Sequence, residues 1–222
     1  MGVGHYGLAI AFKKVEPRLS LVTLTVAAQF VDLLWLIFVS LGVEQVRIVP
    51  GYTAASPLEF VSYPLSHSLV AAVVWAGLVG AVYYAWPTRD TAHHTRRTMI
   101  VMFLVASHWL LDVVAHIPDV PLAGNDSLKL GLGLWRSIPA TLAVEIGMLA
   151  VGLGLVILWP PKRYHPRTWR LLLMGLIFAA MEVASVLGPP PPSVRAVTLG
   201  TLAAIPVIIL LTYWADRPAK TA

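Results

Sequence analysis

Long apolar segments, each close to twenty residues, follow one another through most of this 222-residue chain. A helix rises ~1.5 Å per residue, so a segment of that length crosses the ~30 Å hydrocarbon core of a bilayer. Only 12% of the residues are charged, whereas a soluble domain carries about 25%. The sequence therefore predicts an all-α, polytopic transmembrane helix bundle that forms a single domain, residues 1–222. The six predicted spans are residues 18–42, 65–86, 97–117, 139–159, 168–187 and 194–214.

The first twelve residues are apolar but too few to cross a membrane. They predict a short N-terminal half-helix that ends at Lys13 and Lys14. Counted back from those lysines, His5 would lie ~12 Å above the inner surface, which approaches the bilayer midplane. The small residues Gly2, Gly4 and Gly7 would allow this half-helix to pack closely against a neighbouring helix.

The basic residues alternate between the two sides of the predicted bundle. Three occur at residues 13–18, three at 89–97, four at 162–170 and two after Trp214, whereas the three other loops hold four in all. Lys and Arg are enriched in cytoplasmic loops, so the first set and the C-terminus are predicted to be cytoplasmic. The loops at residues 43–64 and 118–138 then lie outside, and each is long enough to cover the membrane surface as a lid.

The third predicted span carries three ionisable residues, His108, Asp112 and His116. Their spacing of four residues places them near one face of a helix. Within a membrane such residues are costly, and they normally face the interior of a bundle and mark a functional site. A His and an Asp one turn apart can also bind a single metal ion.

Other ionisable side chains share the depth of that site. Asp32, His67, Glu145 and Glu182 all fall in the predicted outer half of the bundle, and the inner halves of the same helices carry none. This sorting by depth predicts that side chains from several helices meet in one polar site. The residues predicted to bind metal are His5, Asp32, His67, His108, Asp112, His116 and Glu182.

Imidazole and carboxylate ligands without thiols suit zinc, manganese or iron(II), and the chain has no cysteine. Zinc is the first expectation, with one or two ions bound. Asp112 and Glu145 are the candidate catalytic carboxylates, since either could take a proton from a water molecule activated by the metal. His116, Glu145 and Glu182 could instead orient the ligands of the ion, act as a general base, or bind a second ion.

Four short motifs occur in order along residues 1–120. They are Gly4-His5-Tyr6-Gly7, Phe30-Val31-Asp32-Leu33-Leu34, Leu65-Ser66-His67-Ser68-Leu69 and His108-Trp109-Leu110-Leu111-Asp112. Together they resemble the membrane-bound metal-dependent hydrolase family (YdjM-like), although Asp32 stands alone where that family has Asp-x-Asp. The resemblance implies a hydrolase in the cytoplasmic (inner) membrane of a prokaryote, and it suggests a phosphoester substrate.

The sequence thus predicts a metal-dependent hydrolase that acts on a lipid-linked or amphiphilic substrate at the outer leaflet. Two alternatives use the same side chains: a small ion- or proton-coupled transporter, and a b-type haem protein with two transmembrane histidines as axial ligands. The net charge of +5 follows the loops and does not predict nucleic-acid binding. The expected partners are membrane lipid or a lipid-linked substrate, with a homo-oligomer as a further option.

Overall fold

The computed structural model describes residues 1–88, 91–162 and 164–217. This part of the chain is mostly helical and contains two small antiparallel sheets. The helices are α1 (Val3–Val15), α2 (Leu21–Ala28), α3 (Phe30–Ser40), α4 (Pro64–His67), α5 (Leu69–Ala85), α6 (His94–Ala115), α7 (Ile138–Ile157), α8 (Thr168–Leu187) and α9 (Val194–Asp216). The strands are β1 (Gln45–Ile48) paired with β2 (Leu58–Ser62), and β3 (Val120–Pro121) paired with β4 (Lys129–Leu130).

Four helices, α6 to α9, are long and apolar enough to cross a membrane, and the bent pair formed by α2 and α3 could supply a fifth span. Helix α5 is apolar but only 17 residues long, or ~26 Å at the helical rise per residue. These apolar helices are compatible with a polytopic membrane protein, but the predicted count of six spans is not confirmed. The first and second predicted spans differ from the observed helices because the chain is broken within each of them, at Gln29 and at Ser68.

The first break bends α2 against α3 by 52°. Gln29 lies at φ −101° and ψ 5°, outside the helical region, although neither Pro nor Gly occurs within either helix. The bend frees the Ala28 carbonyl from the helical ladder, and this oxygen accepts a hydrogen bond of 2.7 Å from Nδ1 of His108. A contact with another helix therefore accompanies the bend, and it places Asp32 in the first turn of α3.

The second break lies between α4 and α5. Ser68 is extended, with φ −79° and ψ 157°, and its hydroxyl accepts a hydrogen bond from the Ala71 amide, as an N-cap residue does. His67 is the last residue of α4 and its side chain is buried. The break separates the turn that carries His67 from the long apolar helix that follows.

Helix α1 lies inside the bundle and packs against α7. A Cβ atom added to Gly152 would lie 2.2 Å from the Gly7 carbonyl oxygen, and one added to Gly7 would lie 2.6 Å from the Met148 backbone. The two helices therefore touch through their backbones, as the glycines of α1 predicted. The C-terminal end of α1 is fixed to α9 by Lys13, which forms a salt bridge of 2.9 Å to Asp216.

The close contact predicts opposite effects of two similar substitutions on α7. Gly152→Ala should push α1 away and lower the melting temperature, because overpacking costs about 1–3 kcal/mol. Gly154→Ala should leave it unchanged or raise it slightly, since nothing lies within 4 Å of an added Cβ there. Thermal unfolding of both variants in the same detergent measures the difference. Equal melting temperatures would contradict the backbone contact.

The two loops that were predicted to lie outside, residues 43–64 and 118–138 (called the outer loops below), contain all four described strands, which the all-α prediction did not include. Strands β1 and β2 form a hairpin in the first loop, and β3 and β4 form a shorter pair in the second. The loops contact each other where the Ala55 amide donates to the Trp135 carbonyl. Together they cover the end of the bundle that carries the polar residues.

Candidate metal centre

Four side chains from three helices converge at this end of the bundle: Asp32 of α3, His67 of α4, and His108 and Asp112 of α6. Oδ1 of Asp32 lies 3.3 Å from Nε2 of His67 and 3.4 Å from Nε2 of His108. Oδ2 of Asp112 lies 3.6 Å and 3.2 Å from the same two nitrogens. Among the described residues, two sets of three have ligand atoms within 4.8 Å of one another: Asp32, His67 and His108 form one set, and His5, His108 and Asp112 form the other, so His108 belongs to both.

Their spacing fits a divalent ion. Zinc binds nitrogen and oxygen ligands at ~2.0–2.1 Å in tetrahedral geometry, which places the ligand atoms roughly 3.3–3.4 Å apart. The four measured separations bracket that value. Two imidazoles and two carboxylates also form a chemically suitable set for zinc, manganese or iron(II). These residues could therefore hold the metal that the sequence predicted.

A hydrogen bond from His108 to the Ala28 carbonyl, at the bend between α2 and α3, orients the imidazole toward this centre. The Ala28 carbonyl can only accept, so Nδ1 of His108 carries a hydrogen, and in the neutral imidazole Nε2 then carries the lone pair. Nε2 is buried without a hydrogen-bond partner. An imidazole that donates through one nitrogen to a carbonyl and leaves the other free has the arrangement common to metal-binding histidines.

His67 is oriented by a chain of side chains that the sequence analysis did not identify. The Ser66 hydroxyl donates to Oε2 of Glu44 at 2.6 Å, so Nδ1 of His67 donates to Oγ of Ser66 at 2.8 Å. Glu44 also accepts the backbone amides of Leu65 and Ser66, at 2.9 Å each. Burial raises the pKa of the Glu44 carboxyl, and the bonds from Ser66 oppose that shift. Nε2 of His67 is left facing the two aspartates.

Loss of the hydrogen bond between Ser66 and His67 should weaken metal binding without removing a ligand. Ser66→Ala removes the acceptor of the His67 Nδ1 hydrogen, and changes of this kind typically reduce metal affinity about 10–100-fold. Ser107→Ala is the matched control, because Ser107 is a buried serine whose hydroxyl donates to the Leu104 carbonyl of its own helix. Zinc titration against a competing chelator measures both. An unchanged affinity in Ser66→Ala would remove Ser66 from the centre.

His5 also reaches this centre. It is fully buried, and its Nε2 lies 3.3 Å from Oδ1 of Asp112. Its ring stacks on that of His108, with centroids 3.8 Å apart and planes inclined by 2°. The Met1 amino group lies 2.5 Å from the same Asp112 oxygen. The structure therefore brings together all five residues that were predicted as the principal ligands.

Glu145 and Glu182 lie beside the centre and contact the start of α1. Oε2 of Glu145 accepts the amides of Gly2 and Gly4 at 2.7 and 3.1 Å, and Oε2 of Glu182 accepts the Val3 amide at 3.4 Å. Free amides at a helix N-terminus favour such carboxylates. Among the described residues, neither glutamate belongs to the two groups whose ligand atoms converge.

His116 also lies apart from those groups. Its Nδ1 is 3.0 Å from Oδ1 of Asp119, and the Tyr63 hydroxyl donates to the same oxygen at 3.0 Å. Its ring packs on Trp135, with centroids 4.1 Å apart. Burial lowers the pKa of His116, whereas the Asp119 carboxylate opposes that shift. The structure thus places His116 in a separate hydrogen-bonded group at the wall of the cavity.

A cavity of about 300 Å³ connects these groups. Its polar lining includes Asp32, His67, Asp112, His116, Glu145 and Glu182, and no described Lys or Arg lines it. Its apolar lining comes from α3, α8 and α9, and the two outer loops add Ala55, Ser56, Pro57, Leu58, Phe60 and Trp135. The Asp32 side chain is 39% exposed, so the candidate metal centre is accessible from this cavity.

Comparisons of the chain with protein-family models, with curated proteins and with solved structures find no match.

Proposed function

We propose that this protein is a membrane-embedded, metal-dependent hydrolase that cleaves a lipid-linked or amphiphilic substrate. The observation that carries the proposal is the convergence of Asp32, His67, His108 and Asp112 at separations of 3.2–3.6 Å. Those separations suit a tetrahedral divalent ion. The free, buried Nε2 of His108 supports the same assignment.

The residues around the centre have distinct roles in this proposal. Bound zinc, manganese or iron supplies Lewis acidity, which activates water and polarises the scissile group. Asp32 and His67 would hold the ion from α3 and α4, and His108 and Asp112 would hold it from α6. Glu145 is available to accept the proton from water, because its Oε1 is buried without a hydrogen-bond partner.

The shape of the cavity suits an amphiphile. Its floor is polar, whereas Trp35, Leu36 and Val197 give it an apolar wall. A substrate could therefore place a polar linkage at the metal and an apolar chain between α3 and α9. Since no described Lys or Arg lines the cavity, a neutral ester or amide suits it better than the anionic phosphoester that the family resemblance suggests.

Membership of the membrane-bound metal-dependent hydrolase family and a place in the cytoplasmic membrane of a prokaryote, with the site at the outer leaflet, belong to the same proposal. The transporter and haem alternatives receive less support. A porphyrin needs free space between its axial histidines, whereas Nε2 atoms of His5, His67 and His108 face carboxylate oxygens at 3.2–3.6 Å. A described core cluster on the predicted inner side of this centre includes the apolar residues Ile10, Leu24 and Leu104, which disfavours an ion path.

A hydrolysis assay tests the proposal. Zinc-loaded protein in detergent is incubated with p-nitrophenyl acetate, p-nitrophenyl palmitate and bis(p-nitrophenyl) phosphate. We expect nitrophenol to be released faster from the palmitate ester than from the acetate ester or the phosphate diester. Activity should be lost with a chelator and should recover with added zinc. His67→Ala should be inactive, and His165→Ala, in an exposed inner loop, should behave as wild type. Activity that survives both the chelator and His67→Ala would overturn the proposal.

A further inference from the structure

We infer that the centre binds two divalent ions, bridged by the two oxygens of Asp112, with His5 as a ligand of the second ion. The inference rests on the proposed metal site and extends it. The first ion uses Asp32, His67, His108 and Oδ2 of Asp112. The second uses Nε2 of His5 and Oδ1 of Asp112.

The two carboxylate oxygens of Asp112 face different histidines. Oδ2 lies 3.2 Å from His108 and 3.6 Å from His67, whereas Oδ1 lies 3.3 Å from His5. Each of these separations is close to the roughly 3.3–3.4 Å edge of a zinc tetrahedron. Asp112 therefore has one oxygen suitably placed for each of two ions. A carboxylate that binds one ion through each oxygen is a bridging ligand.

The stacking of His5 on His108 supports two ions over one. An imidazole binds a metal through its nitrogen lone pair, which lies in the plane of the ring. The two rings are parallel to within 2° and their centroids are 3.8 Å apart, so an ion in the plane of one ring is well out of the plane of the other. If each ring binds its own ion, the two ions lie in nearly parallel planes that are no more than 3.8 Å apart. Two-metal hydrolytic sites have separations of ~3.5–4 Å.

The negative charge at the cavity also supports two ions. Asp32, Asp112, Glu145 and Glu182 place four carboxyl groups around it, and buried charges require compensation. A single divalent ion balances only two carboxylates. Oε1 of Glu145 is buried without a hydrogen-bond partner, and Glu145 lines the same cavity as Met1 and Asp112. Glu145 thus adds buried negative charge to the cavity that Asp112 lines.

The Met1 amino group competes with the second ion for Oδ1 of Asp112. It lies 2.5 Å from Oδ1 of Asp112, and its positive charge could compensate that oxygen without a second ion. The two arrangements differ in the number of ions that each chain binds, so counting the bound metal distinguishes them.

Elemental analysis of zinc-loaded, detergent-purified protein therefore tests the inference. Wild type should hold about two zinc ions per chain, and His5→Gln about one. His94→Gln, which changes a histidine on the inner side, should hold the wild-type amount. One ion per chain in wild type would overturn the inference and leave the proposed metal site intact. No ion in freshly loaded wild type would overturn both.

Electron paramagnetic resonance of manganese-loaded wild type gives a second measurement that does not depend on a variant folding. Two manganese ions bridged by Asp112 should give the many-line spectrum of an exchange-coupled pair. The simple spectrum of isolated manganese at full loading would overturn the inference. Activity is not needed for either readout.

Discussion

The Asp112→Asn protein is expected to insert and purify as the wild type does, yet to lose its bound metal and its hydrolytic activity. Asparagine keeps the shape and polarity of the side chain but removes the negative charge. Both oxygens of Asp112 face histidine nitrogens, at 3.2 Å to His108 and 3.3 Å to His5, and a bound cation favours the ionised carboxylate. We expect zinc affinity to fall by more than ~100-fold, the upper end of the effect of residues that only orient ligands.

Melting temperature gives an independent readout of the same change. Zinc at about 100 times its dissociation constant stabilises the folded state by roughly 2.7 kcal/mol. Added zinc should therefore raise the melting temperature of wild type and leave that of Asp112→Asn almost unchanged.

Asp126→Asn is the matched control, since Asp126 is exposed in the second outer loop. It should retain wild-type metal content, activity and response to zinc. Equal zinc content in wild type and Asp112→Asn, measured on folded protein, would remove Asp112 from the centre.

The principal residues of the centre could be predicted because they are ionisable residues in apolar surroundings. Asp32, His67, His108 and Asp112 are costly in a membrane unless they meet, and depth along each helix is readable from the sequence. His5 followed from counting residues back from Lys13 and Lys14. These predictions needed only the helical rise and the cost of a buried charge.

The residues that orient the histidines could not be predicted in the same way. Glu44 lies in an outer loop, where a glutamate is ordinary, and only the fold buries it against Ser66. The bend at Gln29 depends on neither Gly nor Pro but accompanies a hydrogen bond between residues 80 positions apart in the chain. Such contacts have no local signature, so the sequence predicted an unbroken span there.

Depth along a helix also does not predict which neighbour a side chain contacts. Glu145 and Glu182 were placed at the level of the centre, and they do line its cavity. Each, however, bonds to the backbone amides at the start of α1. The sequence analysis treated α1 as a source of His5 and did not count its unpaired first-turn amides, which need acceptors.

The side of the membrane on which the cavity opens can be tested with introduced cysteines, because the chain has none of its own. Ala54→Cys places an exposed thiol in the first outer loop, beside the residues that cover the cavity, and His165→Cys places one in the exposed inner loop. We expect a membrane-impermeant maleimide to label Ala54→Cys on intact cells. His165→Cys should be labelled only after the membrane is permeabilised.

The expected labelling follows from the distribution of charge. Residues 162–170 hold four Lys or Arg, and such segments remain on the cytoplasmic side. Residues 43–64 hold only Arg47, which pairs with Glu59 at 3.0 Å. Asn125→Cys, in the other outer loop, should follow Ala54→Cys, because the two loops contact each other over the cavity. Labelling of His165→Cys alone on intact cells would place the cavity on the cytoplasmic side, and the substrate would then have to be sought in the inner leaflet.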